Sequence, residues 1–173
     1  MKNSPYRYPL PIRAWHWLQA FLVLALIVTG IPLWNPGVRI LSYDSAAVSH
    51  KYLGFLLAGS FVFWLVHCLA SGRFAGDYVP TAEDLRNLPK QVVLHLFSST
   101  KKYPVLPGPY NPRFSPIQKI AYLCIMTILM PVSILTGIML SDSEQIFFAI
   151  PVNDVERLYT VHRVSGYILF LFL

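Results

Sequence analysis

The sequence predicts an all-α membrane protein, a bundle of four transmembrane helices, and three observations predict it. Of the 173 residues, 55% are hydrophobic and only 13% charged, a composition of the membrane class. Four apolar runs approach the roughly 20 residues a helix needs to cross a bilayer. The charges gather mainly between those runs. A chain this short has room for one compact bundle, so residues 1–173 read as a single integral-membrane domain with no separate soluble part. The formal charge of +6 forms no basic stripe, which argues against nucleic acid. The two cysteines, Cys68 and Cys124, lie in or beside apolar runs and read as small packing residues. No Cys-x-x-Cys-His motif occurs, so covalent haem attachment is not indicated.

The first span covers about 14–34, and Pro32 and Pro36 mark its exit. It is too long for a signal-peptide core and lacks a small-residue cleavage site, so it reads as an uncleaved anchor. The second span covers about 48–69. The link that follows, Ser71 to Pro116, is too long for a plain turn. In it, Thr81 and Asp84 have the spacing of a helix cap. Leu85, Leu88, Val92, Leu96 and Phe97 then recur at helical spacing, interrupted by Pro89. This predicts an amphipathic helix, either lying on the inner membrane surface or packed under the bundle. Tyr103 to Pro116 is proline-rich and reads as an extended connector. The third span covers about 117–140, with Pro131 predicting a kink. The fourth begins near Arg157 and is still apolar at Leu173, short of a full crossing by about one turn. It is expected to be truncated, or to be an unusually brief helix.

Loop charge sets the orientation. Lys2, Arg7 and Arg13 precede the first span. Arg73, Arg86, Lys90, Lys101, Lys102 and Arg113 lie between the second and third. The link between spans one and two sets Arg39 against Asp44. The link between three and four is acidic, with Asp142, Glu144, Asp154 and Glu156. Lysine and arginine favour the cytoplasmic side, so both termini are expected there, in a multi-pass membrane protein.

Histidines carry the chemistry. His50 and His162 each lie just inside a span near its outer end, and His16 opens the first span near the inner face. Imidazoles within membrane helices are costly unless something engages them. Haem iron accepts axial imidazoles, and two at one depth on different helices can share one iron. His16 is most of a bilayer away from His50 and cannot join it. Gly54 and Gly166 each follow a histidine by four residues, on the same helix face, where a side chain would strike a porphyrin and a hydrogen does not. Gly30 and Gly137, each after a threonine, end spans one and three at the same depth. The competing reading of these glycines is close helix packing alone. His67 lies off the His50 face and reads as an interfacial histidine or an inner ligand; His95 reads as a surface residue.

The stretch from Tyr8 to Trp17, the Thr29-Gly30 pair, His50 with Gly54, and Ile117 to Tyr122 together resemble bacterial di-haem cytochromes b. The resemblance is to the cytochrome b subunits of thiosulfate reductase, formate dehydrogenase and nickel–iron hydrogenase, and covers nearly the whole chain. It implies four core helices holding two b haems, with His50 and His162 on the outer iron and His16 on the inner. The second inner ligand would fall fourteen residues after His162, beyond Leu173. The resemblance also implies a quinone site at the inner end of span three, where relatives carry an asparagine. Ser115 takes that place here, with Asn111 a few residues earlier. Ser115, Gln118 and Lys119 are the candidates, or else they cap the span. Arg13, Arg39, Lys51 and Arg163 are candidate propionate partners or solvated cations.

The function this implies is electron transfer between a periplasmic oxidoreductase, through its iron–sulfur and catalytic subunits, and the quinone pool. Two histidines on one iron leave no position for oxygen or substrate. The alternatives are a stand-alone quinone-linked cytochrome and a haem-free membrane anchor whose histidines bond between helices.

Overall fold

The computed structural model describes residues 10–97, 115–141 and 152–172, and among these every regular element is helical. Residues 98–114 contain most of the expected connector, and 142–151 contain Asp142 and Glu144. Both segments, and Lys2, Arg7 and Tyr8, lie outside the described residues. Three helices are long and apolar enough to cross a membrane: Ile12–Trp34, Tyr43–Ala70 and Pro116–Ser141. The chain is a membrane protein. Its fourth long helix, Val152–Leu171, starts five residues ahead of the expected Arg157 and is not one of those three. Asp154, Glu156, Arg157 and Arg163 in its first turns lower its apolar character.

Helix α1, Leu10–Trp34, is a nearly unbroken run of apolar residues, with Pro32 tolerated in its last turn. Past its end the Asn35 side chain accepts a bond from the Gly37 amide at 3.1 Å, a local turn that competes with helix. Helix α2, Tyr43–Ala70, begins where the Ser42 hydroxyl accepts from the Ser45 amide at 3.3 Å. It stops at Gly72, whose φ of +66° is a left-handed conformation suited to glycine. A π-helical turn, Phe74–Tyr78, leads to α3, Ala82–Phe97. The Thr81 cap is as its spacing predicts: its hydroxyl accepts from the Asp84 amide at 3.2 Å, and Asp84 accepts from the Thr81 amide at 2.8 Å. The helix then continues through Pro89.

Pro116–Ser141 is wound in three pieces: α4 (Pro116–Cys124), a π-helical turn (Ile125–Leu129) and α5 (Met130–Ser141). The irregularity expected at Pro131 falls in the turn just before it. Proline lacks the N–H that the carbonyl four residues back would accept from, so the winding ahead of it changes. Val152–Leu171 is α6.

The chain divides into two compact units. The first is Met1–Leu65 with Thr127–Leu173, and the second is Val66–Met126. In the first, α6 packs on α5 and on α1. Leu22, Leu57, Phe61, Trp64, Met130 and Leu169 are among its buried apolar side chains. Trp15 stacks on Trp64 at 5.7 Å and donates to the Ser60 carbonyl at 3.2 Å, while Gln19 donates to the Ser60 hydroxyl at 2.6 Å. Such bonds tie α1 to α2 where apolar contact gives little advantage over lipid. Phe21, Phe55, Phe63 and Leu171 point outward, as a lipid-covered surface requires and water would oppose.

In the second unit α3 packs on α4, and α4 on the Phe74–Tyr78 turn, with Tyr122 edge-on to Tyr78. Asp84 and Lys119 form a buried ion pair at 2.8 Å, with side chains 0% and 4% exposed. Ser115 and Gln118 form a reciprocal capping box at the start of α4. Replacing Ser115 with alanine orphans the Gln118 amide. It should lower stability by about 1 kcal/mol, read as a lowered midpoint of thermal unfolding in detergent; an unchanged midpoint would remove the cap from the account.

Candidate functional site: a pair of histidines between four helices

The first unit brings the end of α1, the start of α2, the end of α5 and the first half of α6 together. His50 on α2 and His162 on α6 meet there with ring centroids 6.1 Å apart and planes at 79°. Each ring is anchored through Nδ1. The Thr29 hydroxyl lies 3.0 Å from His50 Nδ1, and the Thr136 hydroxyl lies 3.0 Å from His162 Nδ1. The Ser133 carbonyl is 3.1 Å from the same His162 nitrogen. Thr29 and Thr136 are buried, at 6% and 7% exposure, so water does not replace these bonds.

The four glycines divide into two pairs. A Cβ on Gly30 would stand 3.2 Å from His50 Cε1, and one on Gly137 only 2.9 Å from His162 Cε1. Those two glycines therefore let the imidazoles lie against α1 and α5. Gly54 and Gly166 are half-buried, yet a Cβ on either would meet nothing within 4 Å. They border open space on the histidine helices. The sequence sets Gly54 and Gly166 beside the histidines on their own helices; helix packing adds that Gly30 and Gly137 lie against the rings.

Cations frame the same end. The Lys51 ammonium donates to the Ser141 carbonyl at 3.2 Å, and the Arg163 guanidinium lies 5.6 Å from the centre of the Trp34 ring, a cation–π distance. Arg39 is exposed in the α1–α2 link.

The other sequence candidates lie elsewhere. His16 is exposed on α1, edge-on to Trp17 at 5.9 Å. Fourteen residues separate it from Gly30, about 21 Å along a helix, so it does not join the pair. Arg13 is half-buried one turn before it. His67 is exposed in the second unit. Ser115 and Gln118 are engaged in their cap and Lys119 with Asp84. Gln118 is exposed and Lys119 is buried.

Two imidazoles suit a metal that brings its other ligands with it. Among the described residues no group of three or more His, Cys, Asp or Glu converges, short of the three or four protein ligands of a zinc site. Metal–imidazole bonds of about 2 Å place two opposed ring centroids roughly 6 Å apart, which the observed spacing matches. An iron in a porphyrin needs only the two axial nitrogens and a flat space beside them, and Gly54 and Gly166 leave such space. The residues present fit a b-type haem.

Comparison with known proteins agrees. The chain is 30% identical over 139 residues to the Escherichia coli (strain K12) protein named "Putative cytochrome YdhU", a match covering 78% of this chain and 52% of that protein. The chain thus spans about half the length of that curated relative. The family described as prokaryotic cytochrome b561 matches residues 7–173. The resemblance seen in the sequence holds at the level of bacterial b-type cytochromes, and this chain belongs to the prokaryotic cytochrome b561 family.

Proposed function

We propose that the protein carries electrons across a bacterial inner membrane as the cytochrome b subunit of a respiratory complex, with His50 and His162 as the axial ligands of its outer haem. The observation that carries this reading is the 6.1 Å approach of the two rings, each held through Nδ1, so that Nε2 would be the atom offered to the iron. Haem, when bound there, supplies reversible one-electron chemistry between ferric and ferrous iron. The protein's residues do the rest. His50 and His162 would hold the haem iron between them and would keep oxygen and substrates off the metal. Lys51 and Arg163, each adjacent in sequence to one of the two histidines, would supply positive charge to the propionates. Buried Thr29 and Thr136 keep water from the ligand nitrogens.

The four helices α1, α2, α5 and α6 form the proposed haem bundle, with both termini cytoplasmic by the loop charges. His16, near the inner end of α1, is proposed as a ligand of a second, inner haem, with Arg13 beside it. Quinone is proposed to exchange electrons near the start of α4, where exposed Gln118 is the accessible member of the Ser115, Gln118 and Lys119 group. Helix α3, tied by Asp84 to the first turn of α4, is proposed to rest at the inner membrane surface. The outer partner is proposed to be a periplasmic oxidoreductase that presents an iron–sulfur subunit.

A reduced-minus-oxidised spectrum of the detergent-purified protein tests the haem directly. A b-type α band is expected; a featureless spectrum from protein expressed with ample haem would end the proposal. Close packing on the glycines supplies a second expected outcome. Gly137→Ala should lower haem per polypeptide more than Gly30→Ala does, because its Cβ meets the ligand ring at 2.9 Å rather than 3.2 Å. Pyridine haemochrome content measures this, and the reverse order would show that these glycines do not set the ring positions.

A further inference from the structure

The threonines beside the two rings do more than fill space. A hydroxyl has one proton to donate and lone pairs to accept with. The Thr29 hydroxyl lies 2.8 Å from the Ala25 carbonyl one turn back in α1, and the Thr136 hydroxyl lies 2.7 Å from the Val132 carbonyl in α5. A carbonyl only accepts, so each threonine gives its proton to its own helix. What each then offers the facing imidazole, at 3.0 Å, is a lone pair. His50 Nδ1 and His162 Nδ1 must therefore carry the ring protons. The backbone says the same. The Ser133 carbonyl at 3.1 Å can pair with His162 Nδ1 only as an acceptor. One device is thus built twice: a threonine and the glycine after it on one helix, facing a histidine on another.

We propose that Thr29 and Thr136 are positioning residues that lock both histidines in the Nδ1–H tautomer and tune the iron they ligate. The inference rests on the haem reading given above. With Nδ1 protonated, each ring presents a bare Nε2 to the metal. A bond from Nδ1–H to an acceptor makes the ring a stronger electron donor. A stronger donor stabilises ferric over ferrous iron and lowers the reduction potential. Because the threonine proton is already committed to the helix, neither hydroxyl can turn round and donate to the ring without breaking its backbone bond.

The test uses the full chain purified from the membrane, with Thr29→Val, Thr136→Val and the matching Thr29→Ser and Thr136→Ser. Valine keeps the branched shape and removes the hydroxyl acceptor, leaving the Ser133 carbonyl beside His162; serine keeps the hydroxyl. The expected result is an upward shift of the haem midpoint potential and an altered low-spin ferric EPR signal in each valine variant. The serine variants should titrate with the wild type. Loss of haem from a valine variant but not its serine counterpart supports the lock equally. Valine variants with the wild-type potential and EPR signal overturn it, as do serine variants shifted as far as valine. A separate arm needs no haem. In haem-free protein labelled with 15N-histidine, His50 and His162 should show the ring-nitrogen shifts of Nδ1–H imidazole. Nε2–H shifts there sink the lock whatever the cofactor. Absence of haem dependent on His50 and His162 in the wild type sinks the parent reading alone.

Discussion

His50→Ala and His162→Ala are each expected to remove the same haem. Each mutation leaves an iron with one axial imidazole and deletes the ring that fits against Gly30 or Gly137. Because both rings belong to one site at 6.1 Å, the two losses are not additive: the double variant should lack no more haem than either single one. The readouts are haem per polypeptide and the amplitude of the b-type α band. A His16→Ala variant serves as the comparison. His16 is about 21 Å away along α1, so its loss should leave the outer component intact. If His50→Ala and His162→Ala removed spectrally different haems, the shared-iron arrangement would be wrong even though both histidines bind haem.

The second large effect lies in the other unit. Lys119→Met should destabilise the protein by up to about 3–5 kcal/mol, the usual range for breaking a buried ion pair at one partner. Asp84 is 0% exposed and its carboxylate sits 2.8 Å from the Lys119 ammonium. Asp84 retains its bonds from the Thr81 amide and hydroxyl at 2.8 and 2.9 Å, which places the expected loss toward the lower end of that range. The double variant Lys119→Met with Asp84→Asn should recover part of it, since neither buried charge then remains without the other. Thermal unfolding in detergent, followed by near-ultraviolet circular dichroism, measures both. A single variant no less stable than a surface substitution would mean that the pair is solvated in the membrane-inserted protein. Haem content offers a useful contrast, because the proposed ligands His50 and His162 lie in the first unit and Lys119 in the second.

Membership of the cytochrome family favours the electron carrier over the haem-free anchor. The stand-alone cytochrome differs from the complex subunit only in its partner. Co-purification of a periplasmic iron–sulfur protein with a tagged copy separates the two.

Much of this was legible without coordinates. Helix positions followed from runs of apolar residues and from proline and glycine, whose effects are local. The three long spans lie within a few residues of expectation, and the Thr81–Asp84 cap forms at its predicted spacing. His50 and His162 stood out because imidazoles inside apolar helices demand a partner. Other roles were not legible, because they depend on which helix lies beside which. Lys119 read as a site candidate and Asp84 as a cap, and nothing in a separation of 35 residues announced their ion pair. The Thr29-Gly30 and Thr136-Gly137 pairs were visible, but only for their glycines. That each threonine faces a histidine 21 or 26 residues onward is a consequence of helix packing.

The sequence by itself determined that this is a helical membrane protein with two histidines set at one depth, since hydrophobicity, charge and helical period act over neighbouring residues. Only the tertiary structure decided that those rings meet, which nitrogen each one presents, and which glycines touch them. Those facts depend on crossings between helices distant along the chain, where a few tenths of an ångström decide whether a ring fits and a single hydroxyl proton decides which way it bonds.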